Sequence, residues 1–172
     1  MNAIKTIIRG IDKLSDLFMQ GAKWFVLALI LTLVYEVVMR YILSSPTLWS
    51  FDMSYMLGSI ALIFGMAYTF KDKGHVNIDI FYEKLSNRNQ ALLNVLFALL
   101  LFFPLWLYLL YNLWPHMLRS WEIKERSPIG SWLPPFYPFK TWIFAGVALL
   151  TLQGIAEFLK DMVVLVTGGE RP

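Results

Sequence analysis

Charged residues in an oily sequence are the first candidates for chemistry. Glu36 and Arg40 lie within "YEVVMRYIL" (35–43), directly after the uncharged run "WFVLALILTLV". A charge deep in lipid costs about 2.5–3.5 kcal/mol on insertion scales, so each needs a partner or a task. The two are four residues apart and share a helix face, with the acid on the N-terminal side. Arg40 can snorkel to the interface, while Glu36 lies about 6 Å deeper by the helical rise. Asp52 opens the next apolar run, where the positive end of a helix favours an acid. The connection 44–51 is short enough to return it to the depth of Arg40. The expectation is a structural clasp in which Arg40 contacts Asp52 and Glu36 shares the guanidinium. A proton or ion relay is the other use of such a set. The clasp is preferred because both signs of charge are present locally.

Further candidates are few. Gln153 and Glu157 stand four apart, with Lys160 and Asp161 just beyond. They mark an inner water boundary or face polar groups of a partner, and the sequence does not separate the two. The chain has no cysteine, which removes disulfides, thiolate metal sites and a cysteine nucleophile. It has no phosphate loop, no metalloprotease helix motif and no nucleophile elbow. The basic residues are spread, so nucleic acid is not a partner. These absences speak against an enzyme.

The elements that must position these residues follow from composition. Of 172 residues, 58% are hydrophobic and 16% charged, far below the charged quarter of soluble domains. Such a chain cannot hide its side chains in one small soluble core. The expected class is all-α integral membrane, with four crossings of ~20 apolar residues each. They fall near 24–43, 53–70, 91–118 and 141–166, with a kink at Pro104 in the third. Residues 1–20 read as an amphipathic helix lying in the interface, with Ile4, Ile8, Ile11 and Phe18 on one face and Lys5, Arg9 and Lys13 on the other. A helix packed on a partner is the alternative. Segment 71–90 reads as a cytoplasmic interfacial stretch and 119–140 as a periplasmic loop. Together these form one membrane domain, 1–172.

Orientation follows the basic residues. Ten fall on one side (Lys5, Arg9, Lys13, Lys23, Lys71, Lys73, Lys84, Arg88, Lys160, Arg171) and four on the other (Arg119, Lys124, Arg126, Lys140). Both termini are therefore expected in the cytoplasm. Trp49, Trp121, Trp132 and Trp142, with Trp114 and Tyr137, are expected to form the outer aromatic belt. This topology parts His75 from His116 by a membrane thickness, ~30 Å, so one metal or haem cannot bridge them. In the second crossing, Ser54, Gly58, Ala61 and Gly65 form a small-residue stripe expected to face another helix closely, within this chain or in a partner.

Several of these stretches resemble the small, DctQ-like membrane subunit of tripartite ATP-independent periplasmic (TRAP) transporters. The resemblance covers nearly the whole chain. It rests on "RY" at Arg40 and Tyr41, on Pro46, Trp49 and Asp52, on "GMAYTFKDKGHVNIDIFYEKL", and on "SPIGSWLPPFYPFKTWIFAGVALLTLQG". The family more often carries glutamate at the position of Asp52; aspartate shortens the reach but keeps the charge. The resemblance implies a scaffold for a large membrane subunit that carries the substrate and sodium sites. It further implies a periplasmic substrate-binding protein that delivers an organic acid, and a place in the bacterial inner membrane. Arg119, Lys124 and Arg126 would be the contact for the binding protein. No cofactor is implied beyond a structural phospholipid from the membrane. Two other classes share the four crossings: a stand-alone proton-coupled exporter, opposed by an Arg40 that should hold Glu36 ionised, and a non-transporting assembly protein.

Overall fold

A backbone in lipid has no water to satisfy its amides, so each apolar run must close its own hydrogen bonds as helix. The computed structural model describes residues 2–72 and 85–167, and each run is helical. Helix α1 covers Asn2–Val37 and continues as a π turn, Val38–Ile42. Helix α2 covers Ser50–Lys71. Helix α3 (Asn87–Phe97), a π turn (Ala98–Phe102) and helix α4 (Phe103–Glu122) make one rod. Helix α5 covers Tyr137–Thr167. Four stretches are long and apolar enough to cross a membrane: Ile4–Ile42, Ser50–Lys71, Asn87–Glu122 and Tyr137–Thr167.

Local chemistry explains the interruptions. The Ser86 hydroxyl accepts from the Asn89 amide and caps α3, as serine does at helix starts. Pro104 has no N–H for the carbonyl of Leu100, and its ring crowds that turn. The wide π turn at Ala98–Phe102 absorbs the misfit just before it, as π bulges do. The expected disturbance of the third crossing therefore takes this form.

The crossings alternate in direction. Tyr35 meets Trp49, Phe18 stacks on Phe64, and Lys71 pairs with Asp16. These contacts set α1 antiparallel to α2, with residues 16–36 level with its whole length. Helix α5 lies against both and against the α3–α4 rod. Phe103 meets Phe158, Trp114 meets Phe144, and Trp121 meets Tyr137. Phe64, Ala67, Leu149 and Leu150 form the centre of the core, each under 3% exposed. The bundle has a terminal end, where α1 begins and α5 ends, and a loop end, which carries the 43–49 and 123–136 connections.

One expectation is corrected. The N-terminal amphipathic stretch is no separate helix, since α1 runs unbroken from Asn2 to Val37. Gly21 alone costs only about 1 kcal/mol in a helix and does not end one. Ile8, Ser15 and Ala22, spaced by sevens, are buried against the other crossings. The register of α1 with α2 places residues 16–36 alongside Ser50–Lys71. Most of the 71–90 segment, His75 included, lies outside the described residues.

Candidate functional site

Two polar anchors hold the bundle, one at each end. At the loop end, the Arg40 guanidinium donates to Glu36 Oε1 from Nη2 at 2.6 Å and from Nε at 3.0 Å. The other oxygen of Glu36 accepts from the amide of Thr47 at 3.1 Å and from its hydroxyl. Glu36 thus ties α1 to the following connection. The carboxylate lies at the loop end of the bundle, level with Thr47.

Asp52 does not join that pair. It is 1% exposed, and its Oδ1 accepts from the Ser127 hydroxyl at 2.9 Å. The first turn of α2 aims it inward, under the loop that follows α4. A Cβ on Gly130 would overlap both carboxylate oxygens. The expected Arg40–Asp52 contact is therefore replaced by an Asp52–Ser127–Gly130 anchor, with Oδ2 buried and without a hydrogen-bond partner. The adjacent N-terminus of α2 offsets that cost electrostatically.

The anchored loop is ordered around it. The Ser127 amide donates to the Pro134 carbonyl, and the Phe136 amide donates to the Glu125 carbonyl, each at 2.8 Å. Lys140 pairs with Glu125. That ammonium holds the Glu125 carboxyl below the usual range. Trp121 donates its indole N–H to Thr141 at 2.8 Å and packs on Tyr137. Trp132 is half-exposed nearby and Trp49 packs on Tyr35. Trp142 differs: its ring lies edge-on to Phe25 and Phe64, between crossings. Arg119, Lys124 and Arg126 are exposed on this end, and Arg126 donates to the Leu133 carbonyl. His116 is exposed near the loop end of α4.

The terminal end is built from charges. Ser15, fully buried, donates to Gln153 Oε1 at 2.6 Å. The Gln153 amide donates to Asp12 at 2.9 Å and to Glu157 at 3.3 Å. Lys160 donates to Asp12 at 3.1 Å and to Glu157 at 2.7 Å. One turn along α1, Asp16 takes the ammonium of Lys71 from the end of α2. Gln153 and Glu157, open between two interpretations in the sequence, thus bind α5 to α1 within the chain.

Within the chain, the tightest helix approach is not at the small-residue stripe of α2. Over the Ser54–Gly58–Ala61–Gly65 stripe, a Cβ on Gly58 would touch Leu29 at an ordinary 3.7 Å, and one on Gly65 would meet nothing within 4 Å. The tight glycines are in α5. A Cβ on Gly146 would overlap Ile63, and one on Gly154 would overlap the Phe102 ring. The α2 face that is buried is Ile60–Phe64–Ala67, because α1 and α5 both pack there.

Nothing in this geometry resembles a catalytic centre, and no group of three or more metal-ligating side chains occurs among the described residues. A family model for the DctQ component of tripartite ATP-independent periplasmic transporters matches residues 29–163. The chain belongs to the DctQ family. It is thus a multi-pass membrane component of a TRAP transporter and not an enzyme. Comparison with individually curated proteins gives no match. The stretch matched to the DctQ component includes the loop-end anchor and the α5 half of the terminal network. Asp12, Ser15 and Asp16 precede it.

Sequence reasoning missed Ser127, Gly130, Ser15 and Asp12. The glycine in "SPIGSW" was a visible signal of close backbone approach. Ser15 was legible only after α1 was known to run parallel to the bundle.

Proposed function

We propose that the chain is the stationary scaffold beside the large membrane subunit, during sodium-coupled uptake of an organic acid delivered by a periplasmic binding protein. It sits in the bacterial inner membrane with the terminal end in the cytoplasm, a direction that the weighting of basic residues supports. The loop end, with Arg119, Lys124 and Arg126, then faces the binding protein. A membrane phospholipid at the subunit contact is the one non-protein component this function calls for.

The observation that carries the proposal is the tying of α1, α2 and α5 at both ends by side chains of this same chain. Packed elements joined at both ends move as one body. A transport element that slides through the membrane needs fewer such ties.

The test is a cross-link within the bundle. Phe18→Cys and Phe64→Cys face each other, since the native rings stack with centroids 5.0 Å apart. The doubly substituted chain, joined by a bifunctional thiol reagent and reconstituted with the large subunit and the binding protein, is expected to support sodium-driven uptake at the uncross-linked rate. Loss of uptake on cross-linking, with the complex intact, would overturn a stationary role.

A further inference from the structure

The outward faces of α1 and of the α3–α4 rod differ in chemistry. Between Phe25 and Tyr35, α1 turns Leu27, Ile30, Leu31 and Val34 outward, all aliphatic and about half-exposed. Lipid tails cover such a surface without loss. The rod instead turns out Leu101, Pro104, Tyr108, Tyr111, Pro115 and Leu118, alternately three and four residues apart. That spacing draws one straight seam along a helix.

The two tyrosines are in the wrong place for lipid. Trp121 stands at the loop end, and Phe103 meets Phe158 beside the terminal network. Tyr111 is ten residues from one and eight from the other, about 15 Å and 12 Å by the helical rise. It therefore lies near mid-bilayer, with Tyr108 one turn nearer the terminal end. Tyrosine belongs at the membrane interface, and a phenol is too short to reach it from this depth. Tyr108 is 66% exposed and Tyr111 78%. Among the described residues neither hydroxyl has a hydrogen-bond partner, and an unmet hydroxyl in hydrocarbon is costly. The backbone adds to the demand. Pro115 has no N–H to give the Tyr111 carbonyl. Asn112 already spends its amide on the Tyr108 carbonyl at 2.8 Å. Beside the seam, Tyr111, Trp114, Pro115, Leu110 and Phe144 line an open groove of about 530 Å³ between α4 and α5.

We infer that this seam is the docking face for the large membrane subunit, and that α1 faces lipid. The occupant is a transmembrane helix of that subunit. It presents small residues to the protruding phenol rings and a hydrogen-bonding group, a hydroxyl or side-chain amide, to Tyr108 and Tyr111. Small residues permit close approach in lipid, and polar ones bind across the contact. The inference rests on the proposed scaffold function, because it needs the large subunit as partner.

The experiment places a photo-reactive benzoylphenylalanine at position 108, 111 or, on α1, 31, in the full chain co-expressed with its large membrane subunit. Illumination in intact membranes is expected to join the two subunits from 108 and 111 but not from 31. Adducts from 31 alone, or none from 108 and 111 while the subunits still co-purify, would overturn the face and leave the scaffold function standing. An adduct between two copies of this chain would overturn the choice of occupant. Subunits that never co-purify would overturn the scaffold function itself, and this inference with it. The double variant Tyr108→Phe, Tyr111→Phe keeps the rings and removes both hydroxyls. On the usual strength of interhelical hydrogen bonds in membranes it should weaken subunit association roughly five- to tenfold. Leu27→Ala with Leu31→Ala should leave association unchanged, and the reverse pattern would count against the seam.

Discussion

The bundle is tied differently at its two ends. At the terminal end, Asp12, Glu157 and Lys160 form a network of side chains, with Gln153 and Ser15 filling the remaining hydrogen bonds. At the loop end, one buried carboxylate meets one neutral hydroxyl and the bare backbone of a glycine. The first tie works by charge balance and the second by fit. The surroundings suit each. Among the described residues, most of the basic side chains lie toward the terminal end, so acids there find cations readily. Asp52 has no cation beside it and relies on a helix N-terminus and a close-packed loop. A charge network fails when one member is removed; a fitted contact fails when volume is added.

The largest effect is expected from breaking the network. Lys160→Met removes the cation shared by Asp12 and Glu157, three groups that are mostly buried. Removing one partner of a buried ion pair costs about 3 kcal/mol or more, since the opposite charge stays in place. Thermal unfolding of the purified chain in detergent should show this loss, while Lys160→Arg should retain most of the stability. A loss below about 1 kcal/mol would mean that water already screens the network.

The loop end should break by crowding. Gly130→Ala drives a methyl group into the Asp52 carboxylate, and overpacking of this kind costs about 1–3 kcal/mol. The damage should be local. Hydrogen exchange is expected to rise over residues 125–136 while the amides of α1 and α5 near the terminal network stay protected. Combining Gly130→Ala with Asp52→Ala should recover part of the loss, a coupling that two independent sites would not show. Uniform loosening of both ends would erase the distinction between them.

Much of the architecture was legible because a bilayer leaves a chain few choices. Apolar length found the four helices long enough to cross a membrane, and proline chemistry located the disturbance at Pro104. Charge partners were harder. The Glu36–Arg40 pair obeys a helix spacing and could be read directly. Asp52 and Arg40 are close along the chain, yet their side chains turn to different neighbours. Whether Asp52 faces Arg40 or Ser127 depends on the rotation of α2 about its axis, which its packing against both α1 and α5 fixes. The amphipathic start of α1 was misassigned for a related reason. A polar stripe of Asp12, Ser15 and Asp16 matches a water-facing surface as well as it matches a buried network, until the partners on α5 and α2 are known. Small residues permit close approach, and within the chain the tight approach occurs at Gly146 and Gly154 of α5, where bulky Ile63 and Phe102 arrive from the other side.

The smallest expected effect concerns pH, and it sharpens the contrast because it separates charge from fit within the loop end itself. Lys140 holds the Glu125 carboxyl below its ordinary value. A carboxyl whose folded value is depressed contributes stability that is fully present above its unfolded value, about 4.3 for glutamate. That contribution drains away as pH falls through the folded value, because the unfolded chain takes up the proton first. Both side chains of the pair are about a quarter exposed, so solvent and salt limit the effect to less than about 1 kcal/mol. Exchange of loop amides should therefore be flat from pH 7 to 5, once corrected for intrinsic rates, and should rise below about pH 4.3. Glu125→Gln should abolish that rise while leaving the Asp52–Ser127–Gly130 fit intact at neutral pH. A loop that opens equally with acid in the Glu125→Gln variant would place the acid-sensitive tie elsewhere. Fit alone would then be what holds residues 125–136 to the bundle.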